Sequence, residues 1–298
     1  MLLRNQAIEF IRTYFLNRKR KISLDLSSVD QNPGNIPSAP IFIVGTGRNG
    51  THFFAKMMES DPSVFAVHLD TLDHPEADSF IPYVIWNSLP VDLMPFKEYR
   101  RKLIQYAANR NQIYFESNPY LSLVSDKLFE WFKARLILLI RNPEDVVNSH
   151  YVKGWYREIP PRSDPSSAPG FWPELTVNRF FGRLMPNGDE FAQWNNLTQI
   201  GKIAWWWKTL NAETLNRLEK LPKDHFRMIK LESFDYQAYR DLCHFLGREV
   251  HLTSKKFEML RGHPPGKGSR KKSAASWTAQ ERYEFEQQTC HFAKRIGY

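Results

Sequence analysis

The chain has 298 residues, of which 42% are hydrophobic and 14% aromatic, and this composition excludes an intrinsically disordered protein. The formal net charge of +9 favours an anionic partner: nucleic acid, a membrane surface or a polyanionic small molecule. The two cysteines, Cys243 and Cys290, give neither a disulfide framework nor a metal-binding spacing, and they are compatible with a reducing compartment.

The N-terminal residues 1–38 predict an amphipathic helix followed by a polar linker. Apolar positions between Leu3 and Phe15 fall on one helical face, and a basic run at 18–21 follows them. The segment carries charges through its apolar part and lacks a small-residue cleavage site, so it does not resemble a signal peptide. Peripheral contact with a membrane and packing on protein both stay open for this helix. Residues 39–298 are predicted to form a single domain.

The stretch Ala39–Pro62 predicts a strand, a glycine-rich turn and a helix in that order. A buried strand over Ile41–Val44 runs into the turn Gly45–Gly50, and a helix follows from Thr51. Backbone N–H groups and the positive end of a helix dipole meet at such a turn and can bind an anion. A glycine-rich turn without a ligand is the alternative.

The turn differs from the P-loop of nucleotide hydrolases, which reads G-x-x-x-x-G-K-[ST]. Thr51 stands where the lysine belongs, and His52 stands where the metal-binding hydroxyl belongs. The nearby cation is Arg48, inside the turn. The sequence therefore predicts that the turn binds a phosphate-like group. It lacks the residues that hydrolysis of Mg-ATP requires.

Further strands alternate with helices along the chain, which indicates a mostly parallel sheet flanked by helices. The predicted strands are Val64–Val67, Ile113–Phe115, Arg135–Ile140 and Phe226–Glu232. The predicted helices are Phe96–Asn109, Tyr120–Phe132, one starting at Pro143, Ala192–Leu221, Tyr236–Leu246 and Thr278–Arg295. Two segments rich in proline and aromatic residues, Pro75–Pro95 and Trp155–Asn187, are predicted to be loops that form the walls of a substrate pocket.

Polar residues follow several of these strands, at the edge where parallel sheets bind ligands. His68 and Asp70 follow the second strand, although their spacing matches no metal site. Glu116 follows the third strand, either as a functional acid or as a carboxylate at a helix N-terminus. Arg141 follows the fourth, and Ser149 comes about two turns later on a helix.

Two of these stretches together resemble the cofactor motifs of sulfotransferases, enzymes that use 3′-phosphoadenosine 5′-phosphosulfate (PAPS). Pro40–Thr51 resembles the family's 5′-phosphosulfate loop, P-[KR]-[ST]-G-[ST]-[ST] after a strand. Leu138–Ser149 resembles its 3′-phosphate motif, R-[ND]-P-x-[DE] with a serine one helix face away. Each motif is weak alone, but the two in this order, about ninety residues apart, are fairly specific. Looser similarity around Leu231–Phe234 and in the ending extends the resemblance to Tyr298.

The resemblance implies an α/β fold of the P-loop kinase type and a metal-independent transfer of a sulfuryl group from PAPS. Asn49 and His52 depart from the serine and threonine that are usual in the family. The residues implied for cofactor binding are Gly47, Arg48, Asn49, Gly50, Thr51, His52, Arg141, Ser149, Arg270, Lys271 and Lys272.

The resemblance also implies catalytic residues. Tyr114–Pro119 resembles the Y-F-E-K-S segment of glycan-type sulfotransferases, which makes Glu116 the first choice for the general base. Branches of the family that place the acid soon after the second strand assign the base to Asp70, with His68 beside it. Arg48 would stabilise charge on the transferring group.

Two other functions fit the sequence less well. A P-loop kinase or NTPase is disfavoured by Thr51 and His52, and a basic nucleic-acid-binding protein is disfavoured because no recognised binding motif is present. Without a signal sequence or an apolar run of roughly 18 residues, we expect a cytoplasmic enzyme that acts on a small-molecule acceptor. The identity of the acceptor and the oligomeric state stay open.

Overall fold

The computed structural model describes residues 38–68, 75–158, 183–262 and 276–298. Across these ranges five strands form one parallel sheet, in the order β2-β3-β1-β4-β5. The strands are β1 (Ile41–Gly45), β2 (Val64–His68), β3 (Ile113–Ser117), β4 (Arg135–Ile140) and β5 (Phe226–Lys230). The predicted N-terminal helix lies outside the described residues.

Helices cover both faces of the sheet and confirm the predicted α/β fold. They are α1 (Thr51–Glu59), α2 (Pro75–Trp86), α3 (Met94–Ala108), α4 (Ser125–Phe132), α5 (Pro143–Val152), α6 (Asp189–Asn195), α7 (Gln199–Leu218), α8 (Tyr236–Phe245), α9 (Ser254–Gly262) and α10 (Ala279–Arg295). A 3₁₀ helix covers Pro119–Val124. No helix in the described part of the chain is long and apolar enough to cross a membrane.

The central strand β1 shows how the two faces are buried. Phe42 and Val44 point into one core, which contains side chains from α2, α3, α4, α5, α7 and α10. Ile41 and Ile43 point into a second core with side chains from α1, α8 and α9. Since both faces are covered, the strand is a continuous apolar run, which is the pattern that predicted it.

One predicted loop is wrong. The segment Pro75–Pro95 contains helix α2, which continues through Pro82. Phe80, Ile81 and Val84 of this helix are at most 1% exposed, so packing against the core outweighs the backbone hydrogen bond that the proline removes. The proline content of the segment was a poorer guide than its apolar spacing.

Other differences concern where helices begin. The predicted helix Tyr120–Phe132 begins as the 3₁₀ helix after Pro119. The predicted helix Ala192–Leu221 is divided into α6 and α7, because the Thr198 hydroxyl accepts the N–H of Gly201 and starts a new helix. Helix α9 was not predicted, and Phe257 anchors it in the second core.

A substitution of Gly45, at the end of β1, tests how closely this residue packs against β4. Its φ is +144°, and a Cβ at this position would overlap the carbonyl oxygen of Leu139 on β4. We expect Gly45→Ala to lower the free energy of unfolding by about 2–4 kcal/mol, because backbone strain and steric overlap add. Urea unfolding would measure this loss.

Gly262→Ala is the matched control, since a Cβ at Gly262 meets nothing within 4 Å. We expect this control to change stability by no more than about 0.5 kcal/mol. Equal stability of the two variants would contradict the packing described at the end of β1.

Candidate functional site

The connection between β1 and α1, residues 45–51, lies at the carboxyl edge of the sheet and is called the anion loop below. Strand β1 lies between β3 and β4, so the loop has neighbours on both sides. The chain leaves β1 toward β2 on one side and later returns to β4 on the other. Ligands of open parallel sheets bind at such a reversal of strand order.

The backbone of the anion loop has an unusual conformation. Gly47, Arg48 and Gly50 have φ values of 68°, 54° and 103°. Gly50 precedes the first turn of α1, and no side chain caps that turn. The N–H groups at a helix start that lacks a side-chain cap need other partners, and an anion is a suitable one.

The loop is fixed to β4 by Asn49. The Asn49 side chain is fully buried, and its Nδ2 donates to the carbonyl oxygen of Leu139. Sequence similarity predicted a contact between Asn49 and a cofactor. In the structure the amide donor of Asn49 is used to hold the loop against the neighbouring strand.

The second predicted motif lies directly against the loop. The Nε of Arg48 donates to the Ser149 hydroxyl on α5 at 2.9 Å, and Nη1 of Arg141 donates to the carbonyl oxygen of Arg48 at 3.1 Å. The Arg141 guanidinium also forms an ion pair with Asp145, one helical turn along the chain. Two motifs that are distant in sequence therefore form one cationic surface.

Two histidines stack at the other end of the loop. The rings of His52, in the first turn of α1, and His68, at the end of β2, have centroids 3.7 Å apart with an interplanar angle of 32°. Nε2 of His68 lies 3.3 Å from the Thr51 hydroxyl. The predicted residues Asp70, Arg270, Lys271 and Lys272 lie outside the described residues.

Glu116 lies apart from this surface. It is fully buried and paired in register with Phe42, three residues before Gly45. Its carboxylate accepts hydrogen bonds from Arg100, from the Tyr114 hydroxyl at 2.8 Å and from the Asn118 amide at 2.9 Å. Both carboxylate oxygens are therefore occupied by protein donors.

Arg100 and Asp78 complete this cluster and were missed in the sequence. Nη1 of Arg100 donates to Asp78 at 2.9 Å, and Nη2 donates to both Asp78 and Glu116. Arg100 is fully buried and shares a helix face with Phe96, Leu103, Ile104 and Ala107. This spacing could have shown that the arginine points inward, whereas Asp78 falls in the segment predicted to be a loop.

The cluster carries two carboxylates for one guanidinium. Burial raises the pKa of the Asp78 carboxyl, and Arg100 opposes this rise only in part. The folded protein therefore keeps the Asp78 proton to a higher pH than the unfolded chain does. The resulting stabilisation is complete below about pH 4 and is lost as the pH rises through the folded pKa.

Asp78→Asn should remove this pH dependence, because the amide oxygen still accepts from Arg100 but carries no charge. We expect the stability of the variant, relative to the natural chain, to improve as the pH rises from 4.5 to 8, because only the natural chain loses the stabilisation of the raised Asp78 pKa. Urea unfolding of both proteins at the two pH values measures the change. A difference that stays constant with pH would contradict the assignment.

Comparisons with known proteins bear on the family and the fold of the chain. A family model described as the sulfotransferase domain matches residues 38–263. The sulfotransferase STF9 from Mycobacterium avium superposes with a TM-score of 0.54 at 12% identity, over 99% of this chain and 84% of that one. This likeness shows a shared fold.

A second solved structure, the mouse sulfotransferase SULT7A1 complexed with PAP, gives a TM-score of 0.44 at 14% identity, over 91% of this chain and 89% of that one. No curated protein matches the chain at a significant level. Within the described ranges, no group of three or more His, Cys, Asp or Glu residues is arranged to hold a metal ion.

Proposed function

The chain belongs to the sulfotransferase domain family, and we propose that it transfers a sulfuryl group from PAPS to a hydroxyl or amine of a small molecule. The contact between the anion loop and α5 carries this proposal. Arg48 reaches Ser149, and Arg141 reaches the Arg48 carbonyl, so two anion-binding motifs share one surface. PAPS has phosphate groups at both ends of its ribose, and a surface of this kind can bind both.

The residues of the site fit such a donor. The N–H groups of residues 47–51, together with Arg48 and Thr51, would hold the 5′-phosphosulfate. Arg141 and Ser149 would hold the 3′-phosphate, and a guanidinium can form two parallel hydrogen bonds to a phosphate. When bound, PAPS supplies the sulfuryl group and the leaving phosphate, whose developing charge the loop donors would stabilise.

We propose that the general base lies at the carboxyl end of β2 or just after it. The glycan-type resemblance puts Glu116 first, but its carboxylate is buried and bonded to Arg100, Tyr114 and Asn118. His68 is at the carboxyl end of β2 and next to Thr51 of the loop, where a base could reach an acceptor. Asp70, two residues later, is the second candidate. The base would take the acceptor proton as the acceptor atom attacks sulfur.

In a kinase or NTPase the P-loop has a lysine at the position of Thr51 and a metal-binding hydroxyl at the position of His52. Because this chain lacks both groups, we disfavour these functions. We also propose that the enzyme is cytoplasmic. Its partner would be a small-molecule acceptor, and it would not bind nucleic acid. Two unpaired thiols, Cys243 and Cys290, support a reducing compartment. The net charge of +9 is accounted for by a highly anionic donor.

Calorimetric titration with adenosine 3′,5′-bisphosphate tests donor recognition. We expect binding without added Mg²⁺, and Arg141→Ala should weaken it by about 10- to 100-fold, because a charge-assisted contact to the 3′-phosphate is lost. Arg135→Ala is the control. Arg135 begins β4, the strand that ends just before Arg141, and donates to the Phe245 carbonyl at the opposite edge of the sheet. Binding of Mg-ATP with no binding of the bisphosphate would contradict the proposal.

Turnover of His68→Gln, Asp70→Asn and Glu116→Gln tests the position of the base, with an acceptor found by screening phenols, alcohols and amines. We expect His68→Gln or Asp70→Asn to lower kcat by about 10²- to 10⁴-fold while the affinity for the bisphosphate is kept. The base would instead be Glu116 if His68→Gln and Asp70→Asn both keep the natural kcat, while Glu116→Gln lowers kcat without changing the affinity for the bisphosphate.

A further inference from the structure

We propose that Arg100 is a positioning residue for donor binding, which it supports through Glu116 and Asn118 without touching the donor. The inference rests on the proposed function, because it concerns the loop that would bind the 5′-phosphosulfate. Residues 116–122, called the loop wall below, connect Arg100 to that loop. Each step of this connection is a hydrogen bond or a packing contact between described residues.

The loop wall supports the anion loop and the end of β1 along their length. Its hydroxyl, amide and proline groups contact this backbone in addition to the contacts that Leu139, Ser149 and Arg141 make with the loop. At the start of the wall, Ser117 Oγ donates to the Thr51 carbonyl at 3.1 Å, and the N–H of Asn118 donates to the Ile43 carbonyl at 3.0 Å. The Pro119 ring then packs beside Gly47. At the end of the wall, Ser122 Oγ accepts the N–H of Gly45 at 2.9 Å.

Asn118 is the link between this wall and the buried charges. Its Nδ2 donates to Asp78 at 2.7 Å and to Glu116 at 2.9 Å, while its Oδ1 accepts the Tyr120 N–H at 3.0 Å. The side-chain amide therefore has one orientation, with its donors toward the carboxylates and its acceptor toward the start of the 3₁₀ helix. The side chain is fully buried, so water cannot replace these partners freely.

Arg100 holds the two carboxylates in place. Asp78 lies on α2 and Glu116 on β3, and the guanidinium on α3 donates to both. Without Arg100, two buried carboxylates would face the same amide, and they would separate or take up protons. Separation would withdraw an acceptor from Asn118, and protonation would leave a weaker one, because a neutral carboxyl accepts a hydrogen bond less strongly than a carboxylate does. In both cases the wall would lose part of its fixed contact with the loop.

The position of Glu116 supports this role over direct participation in the reaction. Its register partner Phe42 precedes Gly45 by three residues, which places Glu116 about 10 Å before the loop at the usual rise of a parallel strand. Its hydrogen bonds go to Arg100, Tyr114 and Asn118, none of which belongs to the loop. Its effect on the loop passes through Asn118 and the wall.

Arg100→Met and Arg248→Met form a matched pair for the test. Arg248 pairs with Asp61 in the turn between α1 and β2, at the opposite edge of the sheet. Both variants remove one arginine from an ion pair, but only one of them is connected to the loop wall. The affinity for adenosine 3′,5′-bisphosphate is measured by calorimetry, at a temperature where thermal unfolding shows every variant to be folded.

We expect Arg100→Met to weaken binding of the bisphosphate at least tenfold and to speed hydrogen exchange of the amides at 45–51. Arg248→Met should change neither. If Arg100→Met does not fold, Arg100→Lys is measured in its place, and we expect a several-fold loss because one ammonium cannot reproduce the two-sided contact. Natural affinity and natural exchange in a folded Arg100 variant would overturn the inference.

Glu116→Gln separates positioning from general-base catalysis. If Glu116 positions the wall, the variant should bind the bisphosphate several-fold more weakly; a loss of kcat with unchanged affinity would overturn the inference. Failure of the natural protein to bind the bisphosphate would instead refute the proposed function. The two ideas can therefore fail separately.

Discussion

The contact between Arg48 and helix α5 is the interaction on which the site depends. Arg48 has a left-handed backbone, which costs a residue with a side chain about 1–2 kcal/mol. Both of its ends are held, because Ser149 accepts from its guanidinium and Arg141 donates to its carbonyl. The strained turn and the second motif therefore define each other, and neither would present its anion-binding groups in the same way alone.

Charge is divided between an outer surface at the carboxyl edge of the sheet and an inner, buried cluster that includes Glu116 of β3. The outer region carries Arg48 and Arg141, with Asp145 as a partial counterion, and it is suited to an anionic ligand. The inner region carries Arg100 and its two carboxylates, which form buried ion pairs with it. Burial makes the inner cluster a fixed support, whereas partial exposure of Arg141 lets the outer surface exchange one anionic partner for another.

The sequence predicted the parts of the fold that periodicity and local motifs determine. Strands β1 and β4 are apolar runs covered on both faces, and Gly45, Arg141 and Ser149 occur in short motifs with a clear physical role. Pro82 concealed helix α2, because a local signal against helix was weaker than burial. The meeting of Asp78, Arg100 and Glu116 depends on how two helices pack on one strand, which no local pattern specifies. The stacking of His52 on His68 is tertiary in the same way.

We propose that the anion loop, together with Arg141 and Ser149, binds the two phosphate ends of one donor. A crystal structure with adenosine 3′,5′-bisphosphate tests it most directly. We expect the 3′-phosphate within hydrogen-bond distance of Arg141 and Ser149, and the 5′-phosphate on the N–H groups of residues 47–51. A bisphosphate bound elsewhere, or bound with its 5′-phosphate away from the loop, would contradict it.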